Sequence, residues 1–176
     1  MSKLVPVVTH TEAARYAFCV VNGKCQSKLP GVETTLEWLR EEVNCTDVRR
    51  ACETGHCGVC AIVVDGESLK ACSVLARELE GRQIFTSSAL ALTGRRAAVA
   101  MVRATEARQP FQCGYCQPAF LIAATDLLER NASPTEAEIR SAFAGLLCRC
   151  TGYQSIVETL LLAEKYLRES PHLNVN

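Results

Sequence analysis

Net charge is the first thing missing from this chain. Nineteen Lys and Arg balance 19 Asp and Glu, so no basic footprint exists to hold a nucleic-acid backbone. Long apolar runs are missing too. No stretch approaches the about 20 residues that a membrane-spanning helix requires. There is no internal repeat and no low-complexity segment. The opening Met1-Ser-Lys-Leu-Val-Pro-Val-Val-Thr-His10 has neither an apolar signal core nor a small-residue cleavage site. The expected location is therefore the cytoplasm, where reducing conditions disfavour a disulfide framework. Within these exclusions, 48% hydrophobic residues over 176 positions are enough for one or two small packed domains.

Cysteine, by contrast, is abundant. Eight of the eleven cysteines fall into two sets of four. The first is Cys52-x4-Cys57-x2-Cys60-x11-Cys72, and the second is Cys113-x2-Cys116-x31-Cys148-x1-Cys150. A [2Fe–2S] cluster takes four thiolates, and Cys-x4-Cys-x2-Cys is the plant-type ferredoxin spacing. Within that loop Gly55 and Gly58 let the backbone curl through positive φ and aim N–H groups inward. Ala61-Ile-Val-Val64, Asp65-Gly66 and Ser68-Leu-Lys-Ala-Cys72 then read as a hairpin that returns the fourth cysteine to the loop. In the second set each cysteine pair opens an apolar helical segment. There N–H groups and the helix dipole favour thiolates. Zinc also accepts four thiolates, and Cys-x2-Cys pairs resemble zinc knuckles, so a zinc-stabilised interaction module is the rival metal reading.

The remaining pattern predicts an α+β chain. Extended segments are expected at Arg15–Val21, Lys24–Leu29 and Gln83–Thr86, with a tight turn at Asn22-Gly23. A capping box at Thr34–Glu37 predicts a helix through Val43, with Leu36, Leu39 and Val43 on one face. Strand, hairpin, helix, cysteine loop and hairpin in that order suit a β-grasp. Ser87–Arg95 reads as a linker into a four-helix bundle. Its helices are expected over Arg96–Ala107, from Pro118 onward, after a capping box at Ser133–Glu136 with Pro134 at the first helical position, and after another at Ser155–Glu158. Ile156, Leu160, Ala163 and Leu167 would line one face of the last, and Ser170–Asn176 reads as a tail. The domains are expected at 1–88, a ferredoxin-like cluster domain, and 89–176, a helical cluster domain.

The stretches ACETGHCGVCAIVVDG, FQCGYCQPAF and LLCRCTGYQSIVETLLLA resemble the iron–sulfur subunit of the molybdenum hydroxylases, the xanthine dehydrogenase and carbon monoxide dehydrogenase family. The resemblance runs over roughly residues 15–168 with all eight cysteines in register. It implies one [2Fe–2S] cluster per domain and an electron-transfer role in a cytoplasmic heterotrimer or dimer of heterotrimers. The implied partners are a large molybdopterin-binding subunit, which carries out the substrate reaction, and a medium FAD-binding subunit. It also implies that electrons pass from molybdenum to the Cys113/Cys116/Cys148/Cys150 cluster, then to the Cys52/Cys57/Cys60/Cys72 cluster, then to FAD. Gln112 and Cys150 match positions that lie against the pterin. The chain departs from the family pattern at Ala51, where glycine is usual, at Cys116-Gln-Pro-Ala119, and at Gly145-Leu-Leu-Cys148. A free-standing ferredoxin is the rival function. Such carriers are often strongly acidic, and the helical half would have no role in one.

Three cysteines stand outside both sets. Cys19 falls in an apolar strand and is expected in the core. Cys25 and Cys45 read as incidental. His56 lies inside the first loop and could replace a thiolate as in Rieske centres, but four cysteines complete the set without it.

Overall fold

The computed structural model describes residues 19–27, 30–90 and 94–169. Five short strands form one mixed sheet: β1 Cys19–Val21, β2 Lys24–Gln26, β3 Ala61–Val64, β4 Glu67–Lys70 and β5 Gln83–Phe85, in the order β2-β1-β5-β3-β4. β1 runs parallel to β5, with Val20 opposite Gln83, and the other pairings are antiparallel. Both hairpin turns have the expected chemistry. Asn22 and Gly23 have φ of 51° and 78°, and Asp65 and Gly66 have 50° and 92°. Positive φ at both central residues is what a type I′ turn needs.

Helix α1, Thr35–Glu41, lies across one face of the sheet. Thr34 caps it by accepting the Glu37 N–H at 3.2 Å. The helix stops two residues short of the expected Val43, because the chain turns out through Asn44 at φ 60°. Leu36, Leu39 and the unanticipated Trp38 pack with Val21, Ile62, Val64 and Ile84 into the first apolar core. Val63 points the other way, toward Leu90, Ala98 and Ile122 of the helical half. With both faces covered, β3 reads as an unbroken apolar run rather than an alternating one.

The segment expected to link the halves is partly structured. Ser87–Leu90 forms a helical turn, α2, with Ala89 and Leu90 buried. The Asp47 carboxylate orders it by accepting the Ser87 hydroxyl and the Ser88 N–H, each at 2.9 Å. Beyond it lie α3 Arg96–Arg108, α4 Gln117–Arg130, α5 Glu136–Phe143 and α6 Gln154–Glu169. α3 packs against α4 and α6, and α5 closes the bundle against the same two. Ala97, Ala98, Ala100 and Ala104 give α3 a small-residue surface that admits close neighbours. The expected central helix is α4, with seven buried residues.

Two caps differ from expectation. α5 is capped by Thr135, whose hydroxyl accepts the Glu138 N–H while Glu138 reaches back to the Thr135 N–H. Ser133–Glu136 and Thr135–Glu138 are overlapping frames of one motif, and the second is used, leaving Pro134 ahead of the cap. Ser155 is not a cap but an internal residue of α6, and its hydroxyl donates to the Pro110 carbonyl at 3.0 Å. Arg15–Phe18, Lys28, Leu29 and the expected tail lie outside the described residues.

Candidate functional site: two four-cysteine constellations

The first constellation is a loop that shapes itself. Glu53, Gly55 and Gly58 take φ of 55°, 77° and 70° and wind residues 52–60 into a curl. The Thr54 and Cys57 N–H groups point inward, to Cys52 Sγ at 3.5 and 3.4 Å. A Cβ on Gly55 would stand 2.8 Å from Ser73 Oγ, so glycine is needed there for space as well as for φ. The β3–β4 ladder runs on into this site. Ala71 N–H donates to the Cys60 carbonyl at 3.1 Å, which sets Cys72 beside Cys60. From β4, Lys70 Nζ reaches over the loop to the Gly55 carbonyl at 2.6 Å.

The second constellation is assembled from two distant segments. Cys116 is the N-cap residue of α4, and Gly114, at φ 72°, lets the chain double back to Cys113. Cys148 and Cys150 arrive on the loop between α5 and α6. Tyr153 fixes that loop, since its hydroxyl accepts the Cys148 N–H at 3.0 Å and donates to the Leu146 carbonyl at 3.1 Å. The Thr151 hydroxyl donates to Cys148 Sγ at 3.1 Å. Behind them Phe120 packs against the rings of Phe111, Phe143 and Tyr153 at 5.9, 4.9 and 6.1 Å, so both segments rest on one buried side chain.

The thiols meet in pairs. Cys113 and Cys150 Sγ are 3.6 Å apart. Cys60 neighbours Cys72, Cys116 neighbours Cys148, and Cys52 neighbours Cys57, whose N–H it accepts at 3.4 Å. A two-iron cluster places two thiolates on each iron, whereas a zinc knuckle draws four onto one point. Two pairs of thiols in each set match that two-by-two demand, so the donor set fits [2Fe–2S] clusters.

The thiols within each constellation differ in how readily they ionise. Inward N–H groups of Cys57 and Thr54 hold the Cys52 thiol down at about 5. Burial pushes Cys60 up to about 11 and Cys116 up to about 12. Burial also opposes ionisation of Cys148, but the Thr151 hydroxyl and nearby N–H groups bring it below its ordinary value. The Tyr115 N–H lowers Cys113, while the hydrogen bond with Cys113 raises Cys150. Thiols raised by burial hold their protons until a metal displaces them.

The two constellations touch. Leu147 N–H, one residue before Cys148, donates to the Cys57 carbonyl at 2.8 Å. Cys57 and Val59 are buried in the core of the helical bundle rather than in that of the sheet. The Tyr115 hydroxyl donates to the Arg50 carbonyl, and the Arg49 guanidinium lies 5.5 Å from the Tyr115 ring. A Cβ on Gly58 would run into the Gly145 carbonyl oxygen.

A family model for a 2Fe-2S iron-sulfur cluster binding domain matches residues 19–91, and one for a [2Fe-2S] binding domain matches residues 89–161. The chain is 40% identical over 142 residues to the nicotine 6-hydroxylase small subunit of Paenarthrobacter nicotinovorans, covering 80% of this chain and 84% of that one. It is 38% identical to the xanthine dehydrogenase iron-sulfur-binding subunit of Escherichia coli O157:H7, covering 84% and 92% of the two chains. This chain belongs to the iron–sulfur subunits of the molybdenum hydroxylases. The fold agrees. Quinoline 2-oxidoreductase from Pseudomonas putida 86 superposes with a TM-score of 0.74 at 29% identity, covering 87% of this chain and 95% of that one.

As a member of that family, the chain is the iron–sulfur subunit of an oxidoreductase complex. No helix among the described residues is long and apolar enough to cross a membrane. Gln112, Cys113 and Cys150 are exposed together, and Tyr115 and Leu147 beside them are 45% and 51% exposed. His56 is also exposed, and its Nδ1 lies 3.1 Å from Thr54 Oγ1. Outside both sets, Cys19 is buried in the sheet core, Cys45 half-buried and Cys25 exposed. Burial pushes the Cys19 and Cys45 thiols up to about 12 and 11.

Thr151, Tyr153 and Lys70 support the sites without being ligands, and cysteine spacing alone could not find them. Thr151 and Tyr153 do sit within the stretch CRCTGYQSIV that carried the resemblance.

Proposed function

We propose that this chain is the electron relay of a cytoplasmic molybdenum hydroxylase, carrying electrons from a molybdopterin centre on a large subunit to FAD on a medium subunit. Cys113, Cys116, Cys148 and Cys150 would hold one [2Fe–2S] cluster, and Cys52, Cys57, Cys60 and Cys72 the other. These groups supply reversible one-electron chemistry. The protein holds them, orients them and tunes them with N–H groups and burial. The two-domain division at 88/89 belongs to the same proposal and is supported by one apolar core on the sheet and a second on the bundle, the second also taking in Cys57 and Val59.

The observation that carries the reading is the Leu147 N–H to Cys57 carbonyl bond. It joins the two constellations through a bonded path that begins on the candidate ligand Cys57 and ends one residue before the candidate ligand Cys148. A free-standing ferredoxin would not need the second constellation. The exposed group of Gln112, Cys113 and Cys150, flanked by Tyr115 and Leu147, supports this end facing the pterin on the large subunit. The order is then molybdenum, the Cys113 set, the Cys52 set and FAD, in a heterotrimer or dimer of heterotrimers.

The test uses the assembled complex, reduced with dithionite. Two distinct [2Fe–2S] EPR signals and about four irons and four sulfides per chain are expected. Stoichiometric zinc without sulfide refutes the reading. For the order, magnetic splitting of the Mo(V) signal should vanish in Cys116→Ala and persist in Cys60→Ala, and the reverse pattern overturns it. Gln112→Ala should perturb the Mo(V) signal and spare both clusters.

A further inference from the structure

Lys70 stands out among the charged groups near the first constellation. It is half-buried at the end of β4, and its ammonium lies 2.6 Å from the Gly55 carbonyl. Gly55 takes φ 77° between the inward-pointing Thr54 and Cys57 N–H groups, and its carbonyl accepts from Lys70. Gly55 lies between Cys52 and Cys57, so a full positive charge is anchored to the backbone between two candidate ligands. Nearby Glu53 is paired with the Arg50 guanidinium at 3.9 Å, which offsets the acidic charge on this loop. Lys70 is separated from Cys72 by one residue, so the strand that delivers the fourth sulfur also delivers the cation.

We propose that Lys70 is an electrostatic positioning residue for the first cluster, whose charge makes that cluster easier to reduce than the loop alone would. This rests on the [2Fe–2S] reading of the Cys52 set. Reduction adds one negative charge to the site. A cation held at fixed range in partly desolvated surroundings stabilises that charge more than it would in water. For a relay in which this cluster passes electrons onward, the charge sets how strongly the first cluster draws them from the second.

The experiment is an EPR-monitored redox titration of the assembled complex carrying Lys70→Met, Lys70→Gln or Lys70→Arg. Two [2Fe–2S] signals in the unsubstituted complex secure the underlying reading, and their absence would sink that reading rather than this one. With both signals present, Lys70→Met is expected to lower the first cluster's reduced-to-oxidised ratio about tenfold at fixed potential. For a one-electron couple that is a shift of about 59 mV to the negative. The second cluster should not move. Lys70→Gln keeps an N–H donor for the Gly55 carbonyl and loses the charge, so it should shift like Met, while Lys70→Arg should titrate like the unsubstituted protein. An unmoved midpoint in Lys70→Met overturns the proposal. So does a normal midpoint in Lys70→Gln, because the hydrogen bond and not the charge would then be the cause. Loss of the first cluster's iron from both neutral variants, with retention in Lys70→Arg, overturns it as well, making the cation a requirement for assembly rather than a tuner.

Discussion

The two cysteine constellations solve one problem in opposite ways. The first is local, since its loop is wound by three positive-φ residues and its fourth sulfur arrives on the next hairpin. The second is tertiary, because Cys113 and Cys116 meet Cys148 and Cys150 only when the bundle is packed. Phe120 is the residue on which both of its segments rest. Burial follows the same contrast. The first set hides Cys57, Cys60 and Cys72, whereas the second hides Cys116 and Cys148 and leaves Cys113 and Cys150 exposed. A local site depends on its own backbone, and a tertiary site inherits the stability of the core behind it.

Ligand removal separates the two most sharply. Cys60→Ala should abolish only the first cluster's EPR signal and Cys116→Ala only the second. Each should lower iron from about four to about two per chain. Loss of both signals from either substitution would mean that the sites load as one unit.

Core truncation comes next. Phe120→Ala should cost about 3–5 kcal/mol, and on heating the second cluster should bleach well before the first. Leu39→Ala, in the sheet core, should cost about 2–5 kcal/mol and reverse that order. Simultaneous bleaching in both variants would erase the local–tertiary distinction.

A smaller effect is expected from Tyr153→Phe. It leaves the Cys148 N–H and the Leu146 carbonyl without their hydroxyl partner, at about 1–3 kcal/mol. The second cluster's midpoint should move while the first keeps its own, as redox titration will read.

The smallest effect concerns the junction. Burial raises the Asp47 carboxyl pKa, but hydrogen bonds from Thr86, Ser88 and Ser87 outweigh it and leave the value below the ordinary one. The stability it supplies is therefore complete above the unfolded carboxyl value of about 4 and lost as pH falls through the lower folded value. Asp47→Asn should cost about 1 kcal/mol in urea unfolding at neutral pH. The difference from the unsubstituted protein should shrink in acid, and a constant gap across that window would assign Asp47 no role in the pH dependence.

The same contrast explains what could be read from the residues. The hairpin turns at Asn22-Gly23 and Asp65-Gly66, the Thr34 cap and the apolar stripe of α6 are set by neighbours in sequence, and they emerged as expected. Ser155 and Ser133 did not, because an S/T-x-x-E frame marks a possible helix start without choosing between overlapping starts. Ser155 was lost to a partner 45 residues away, the Pro110 carbonyl. Ser87–Leu90 looked like a linker because the residue that orders it, Asp47, lies 40 positions back. Grouping the cysteines into fours needed only spacing. Matching Cys113 to Cys150 and Cys116 to Cys148 needed the fold, as did the reach of Lys70 to Gly55.

The contact between Gly58 and the Gly145 carbonyl carries a consequence for how such chains can be recombined. The β-rich and helical halves look like exchangeable cassettes, each with its own cysteine set. At Gly58, however, their seam brings backbone against backbone, without a side chain at that position to trim or enlarge. A chimaera that grafts the helical half of a relative onto this β-rich half must reproduce the path of residues 145–147, where Gly58 meets the Gly145 carbonyl and Leu147 N–H meets the Cys57 carbonyl. The two halves therefore meet as a matched pair at this point of the seam.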